Sequence, residues 1–233
     1  MAPRTISIGI PLYPWQALDI VGPVDILGNI SHRMVSAYAS PDVADKLAAP
    51  DISFHYIGTE STLTTANVHI APTCSMSSCP KLDYLLLGGP DPAYAMSLPK
   101  ELKDFIIERS KEVKAIWTTC TGGIVLAATG LLDNTAATTN HHPMIQKAAE
   151  HVSPSTKWDW GTHWVISKNR DGVNFWTAAG AGAGMDMIAQ WMREELENGE
   201  TLLNISTQAL EWQPRDIDGK AMKHMNGRGE MVD

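Results

Sequence analysis

"AIWTTCTGGIVLAATGLL" occupies residues 115–132, and its reading decides the fold. An apolar run meets a polar knot of Thr118, Thr119, Cys120, Thr121, Gly122 and Gly123, then turns apolar again. That pattern predicts a buried strand passing through a tight turn into a buried helix, with Gly130 as its stop. Cys120 falls at the bend, where such a turn lifts a side chain out at the top of a sheet. Gly122 and Gly123 lack β-carbons, so the backbone behind the turn can pack closely. A helix start also offers unpaired N–H groups and a positive dipole end, which favour thiolate over thiol and stabilise a developing anion.

Outward from that turn, "LDYLLLGG" (82–89) is a continuous apolar run ending in Gly88 and Gly89, the pattern of a central parallel strand whose C-terminal end opens onto a site. "TISIGIP" (5–11) predicts another buried strand. Residues 16–29 carry apolar side chains at helical spacing, with Gly22-Pro23 expected to open the main helix and Asp19 just ahead of it, at the same edge of the sheet. Further strands are expected at 34–40, 53–58 and 135–139, a short extended pair within 61–72, and a hairpin over 163–180 turning at Asp171-Gly172. Helices are expected at 99–113, 143–152, 185–199 and 200–212. The alternation predicts an α/β protein, a parallel sheet sandwiched between helices with a small antiparallel hairpin added. Residues 1–212 form the expected domain, and residues 213–233, which lack an apolar period, a tail or an arm laid on a partner subunit.

Composition narrows the function. The 233 residues are 44% hydrophobic and 19% charged with a formal net charge of −8, so no basic stripe serves nucleic acid or an anionic membrane, and a small molecule is the expected partner. The start, "MAPRTISIGIPLYPW", has no signal-peptide apolar core, and no segment approaches the roughly 18 apolar residues that span a bilayer, which predicts a cytoplasmic protein. Three cysteines without secretory context are expected to be reduced, Cys74 and Cys79 as bystanders in "PTCSMSSCPK". The eight histidines show no metal-ligand spacing, and no metal or cofactor is expected. "GAGAG" (180–184) fails the dinucleotide fingerprint because Met185 takes the last glycine's place; close packing at a helix start explains it. Trp158, Trp160 and Trp164 read as core or interface, or else as an aromatic wall over the Cys120 pocket.

The stretch "TTCTGGIVLAATGLLDNTAATTNHH" (118–142) resembles the cysteine turn of the ThiJ/PfpI superfamily, and the threonine after the cysteine is most similar to the isonitrile hydratase branch. "LDIVGPVDIL" (18–27), "LDYLLLGGPD" (82–91) and "FWTAAGAGAGMDM" (175–187) match in order, so the resemblance runs to about residue 212. It implies a flavodoxin-like fold, Cys120 as nucleophile, Asp19 as its acidic partner, Gly88 and Gly89 with Gly122 in an anion-stabilising cradle, and Thr121 beside the substrate. It also implies a homodimer. Where relatives often read Thr-Thr-His, this chain reads Thr138-Thr139-Asn140-His141-His142: the aligned position is Asn140, and His141 reaches the site only if the turn is displaced. The resemblance implies a cysteine-dependent lyase that hydrates an isonitrile to an N-substituted formamide. The alternatives are glyoxalase-type chemistry on 2-oxoaldehydes, a cyclising or dehydrating tailoring enzyme, and a non-enzymatic cysteine redox sensor or chaperone.

Overall fold

A computed structural model describes residues 3–225 and 231–232. Its main sheet has six strands: β1 (Thr5–Pro11), β2 (Asp51–Ile57), β3 (Tyr84–Leu87), β4 (Ala115–Thr118), β5 (Trp164–Lys168) and β6 (Asn174–Ala178), in the spatial order β2-β1-β3-β4-β6-β5. The first five of these places are parallel, and β5 joins the edge antiparallel through the hairpin at Gly172, whose φ is +85°. This is the flavodoxin-like order with a hairpin appended. Every residue of β3 and β4 is buried, as expected of central strands covered on both faces.

The helices are α1 (Ala17–Asn29), α2 (Lys100–Ser110), α3 (Gly122–Ala127), α4 (Pro143–Val152), α5 (Ala181–Glu195) and α6 (Gly199–Leu210), with shorter ones at His32–Tyr38, Pro41–Lys46 and Pro92–Met96. Helices α1, α5 and α6 pack on one another, while α3 lies against α4 and the helix Pro92–Met96. Under α5 the rings of Tyr84 and Trp117 stack at 4.3 Å, and Trp191 meets Trp117 edge-on at 4.8 Å. Large aromatic faces of this kind dominate the energy of a core.

Four expectations are corrected. Residues 34–40 are not a strand: Ser31 accepts from the Met34 N–H and caps the helix His32–Tyr38, so a local cap outweighs the β-branched content. Helix α1 begins at Ala17, which places Asp19 in its first turn and Pro23 inside it. Residues 135–139 supply two strand residues, Ala136–Ala137, paired with Lys157–Trp158 apart from the main sheet. Helix α5 starts at Ala181, four residues early, because the small residues of "GAGAG" lie within its first turn; a β-carbon on Gly184 would run into the Thr119 methyl.

The expected tail lies partly outside the described residues. Within its described part, Arg215 donates from its backbone N–H and Nε to the carboxylate of Asp186 on α5, at 3.0 and 2.8 Å.

Candidate active site

The register of the central strands builds the site. Leu87 pairs with Thr118, so the residues that follow, Gly88-Gly89 on one strand and Thr119-Cys120 on the other, emerge side by side at the C-terminal edge. The Thr119 N–H donates to Leu87 O at 3.0 Å and carries the pairing one residue past the strand. Cys120 then adopts φ +53°, a left-handed conformation that costs a non-glycine residue roughly 1 kcal/mol or more. The reversal sends the chain straight into α3. Gly122 must be glycine here, because a β-carbon would collide with the Leu87 carbonyl, and one on Gly123 would sit 2.8 Å from Thr138 O.

Asp19 is fully buried beside this turn. Its Oδ2 accepts from the Gly89 N–H at 2.7 Å, while its Oδ1 is buried without a hydrogen-bond partner. Burial raises its pKa from 3.8 to about 7, the Gly89 N–H pulling the other way. The carboxyl therefore carries a proton for much of the time at neutral pH.

Cys120 is 7% exposed. Burial pushes its thiol above the ordinary value, with the Asp19 charge adding to the rise; Asn140 and Thr121 oppose it by hydrogen bonding. The helix start does not lower this thiol as the sequence leads one to expect. The N–H groups of Gly122 and Gly123 close the turn itself, donating to Thr119 O at 2.9 Å and Cys120 O at 3.3 Å. The Gly89 N–H is likewise held by Asp19, and the Gly88 carbonyl accepts from the Tyr13 hydroxyl at 2.8 Å. The Thr121 hydroxyl donates to Pro90 O at 2.5 Å.

Asn140 reaches the sulfur. Its Nδ2 donates to Cys120 Sγ at 3.3 Å, and its Oδ1 accepts from the His142 N–H at 2.9 Å, which fixes the amide with its donor toward the thiol. His141 turns away: its Nε2 pairs with Thr138 Oγ1 at 3.0 Å and its ring meets Trp160 edge-on. His142 caps α4. The aligned position, not the neighbouring histidines, is the one that touches Cys120.

A cavity of about 280 Å³ opens over the thiol. Gly89, Thr121 and Asn140 form its floor with Cys120, and Gln16, Thr65, Asp91 and Ile145 are wall residues that no sequence pattern singles out. Trp158, Trp160 and Trp164 do not line it; Trp158 and Trp160 stack on each other at 5.7 Å, and Trp164 is buried. Among the described residues no cluster of three or more His, Cys, Asp or Glu is placed to hold a metal ion, and no helix is long and apolar enough to cross a membrane.

No family model matches the chain. It is 26% identical over 214 residues to isonitrile hydratase of Pseudomonas putida, covering 90% of this chain and 79% of that protein. Its fold is similar to a ThiJ/PfpI family protein from Pseudomonas syringae (TM-score 0.65, 22% identity, 93% of this chain and 78% of that one). It is also similar to an AraC family transcriptional regulator from Pseudomonas putida (TM-score 0.64, 17% identity, 89% of this chain and 100% of that one), so the fold alone does not choose a function. The sequence match, the sheet order and the cysteine turn agree: the chain has the fold of the ThiJ/PfpI family protein and is similar in sequence to isonitrile hydratase.

Proposed function

We propose that this chain hydrates an isonitrile to an N-substituted formamide, with Cys120 as the nucleophile of an elbow and Asp19 as its proton carrier. The observation that carries the reading is the buried Asp19 carboxyl, held near neutrality beside the thiol with one oxygen unpartnered. A carboxyl in that condition can take a proton and return it within one cycle.

The steps balance on these groups. Asp19 accepts the thiol proton, and the thiolate adds to the terminal carbon of R–N≡C. The same proton then passes to that carbon, giving the thioimidate R–N=CH–S–Cys120. Water adds across the C=N bond, its proton going to nitrogen. Collapse of the adduct expels the sulfur, which regains a proton, and releases R–NH–CHO. Asn140 supports the thiolate by its Nδ2 donation and cannot itself act as a base.

The test is incubation with cyclohexyl isonitrile and detection of N-cyclohexylformamide. Wild type is expected to form it, Cys120→Ala to form none, and Asp19→Asn to lose roughly 10²-fold or more in rate. An alanine variant as fast as wild type sinks the mechanism. Lactate formed from methylglyoxal, with no formamide from the isonitrile, would replace it with the glyoxalase reading.

A further inference from the structure

The walls of the Cys120 cavity differ from those of a site built for an anion. Pro90, Pro92 and Ile145 give it apolar surface, Gln16 and Thr65 neutral polar groups at an exposed rim. Among the described residues, the ionisable groups in and beneath its wall, apart from the thiol, are acids. Asp91 lines the rim, where its Oδ1 accepts from the Ala93 N–H at 2.8 Å, and Asp19 lies beneath Gly89. No lysine, arginine or histidine is part of this wall among the described residues. An anionic ligand would meet the Asp91 charge, joined by that of Asp19 whenever its carboxyl is ionised, and lose hydration against proline and isoleucine without finding a cation to pair with.

We propose that the cavity over Cys120 selects uncharged molecules against anions, and that Asp91 is a specificity-determining residue at its rim. Joined to the hydration proposed above, on which this clause rests, the substrate class is an isonitrile with a neutral, largely apolar N-substituent. Isonitriles carrying a carboxylate are poor substrates. Asp91 is exposed, so its share of the selection is screened by salt, whereas the share that the buried Asp19 adds when ionised is screened much less.

Charge selection is measured without relying on turnover. Iodoacetamide and iodoacetate alkylate the same thiolate and differ in charge, so the ratio of their rates at Cys120 cancels the ionisation of the sulfur. Site-resolved mass spectrometry gives that ratio, with N-acetylcysteine amide as the uncharged reference thiol. At low ionic strength the amide-to-acetate ratio at Cys120 is expected to exceed the reference by about tenfold. It is expected to fall several-fold in Asp91→Asn, whose amide oxygen can still accept from Ala93. A ratio equal to the reference, no change in Asp91→Asn, or a Cys120 that neither reagent reaches overturns the proposal. Cyclohexyl isonitrile and isocyanoacetate assayed in parallel separate the two claims. Failure to hydrate either, with the alkylation ratio intact, removes the isonitrile reading and leaves the charge selection standing.

Discussion

The hydroxyl of Thr119 donates to the backbone carbonyl of Asp19 at 2.9 Å, and Pro23 is what leaves that carbonyl free. In an α-helix the N–H four residues on would take it, but proline has none. The gap is filled from the residue next to Cys120. One hydrogen bond thereby fixes α1, which carries the acid, against the turn that carries the thiol.

Thr119→Val keeps the shape of the side chain and leaves a buried carbonyl without its donor. It is expected to destabilise the protein by about 1–3 kcal/mol, read by urea denaturation, and to lower turnover beyond the effect on KM. Thr119→Ser, which retains the hydroxyl, should recover most of the lost turnover. A loss that falls on Thr119→Ser and spares Thr119→Val would show that the methyl packed on Gly184, rather than the bond to Asp19, is what matters.

Asp19 makes stability depend on pH in an unusual direction. Its folded pKa, about 7, lies above the ordinary carboxyl value of 3.8. Between those values the folded state holds a proton that the unfolded chain has lost, so stability is fullest at the acid end and declines as pH rises toward 7. The decline has an upper bound on the order of 4 kcal/mol. Asp19→Asn removes this titration, so the variant should gain on wild type steadily from pH 4 to 7 and then hold a constant difference. Parallel pH dependence of the two proteins would mean that Asp19 is not held neutral. Activity has its own pattern: the pair is reactive with one proton shared between them, so kcat/KM should rise through about pH 7 and fall again where the second proton leaves.

Much of this site was legible in the sequence because its parts are local. The strand, turn and helix of residues 115–132 announce themselves through apolar runs broken by glycines, and so does the Gly88-Gly89 end of β3. What stayed hidden depends on contacts across the chain. Pro23 reads as a helix opener until Thr119, nearly a hundred residues on, is seen to satisfy the carbonyl that it strands. The expected lowering of the Cys120 thiol failed for a similar reason: the turn uses its own N–H groups, and burial with a neighbouring acid outweighs the rest. Gln16, Thr65 and Asp91 come to the pocket from three loops with no shared pattern.

The positive φ of Cys120 gives an ordering of two variants that removal of the thiol alone does not predict. Glycine normally weakens a folded chain relative to alanine through its unfolded-state entropy, but a left-handed position reverses the preference. With φ at +53°, Cys120→Gly is expected to be more stable than Cys120→Ala by about 1 kcal/mol, although neither should turn over substrate. Differential scanning calorimetry of the two decides it. Alanine as the more stable of the pair would mean that the turn relaxes once the sulfur is gone.

Arg215 and Asp186 test whether the C-terminal segment belongs to the fold. Asp186 is fully buried, and burial is the main cause that raises its carboxyl, against the pull of Arg215. Arg215→Ala leaves it only the backbone N–H of that residue among its present donors, and because the guanidinium side chain is 41% exposed the loss is expected to be modest, about 2 kcal/mol at pH 8. A carboxylate robbed of its cation binds a proton more readily, so the penalty should shrink as pH falls and Asp186 sheds its charge. Arg215→Lys should fall between the two. Removal of residues 213–233 should destabilise at least as much as Arg215→Ala and with the same pH trend. A truncated chain as stable as wild type would show that the buried carboxylate is satisfied without this segment, and that residues 213–223 lie on α5 without holding it.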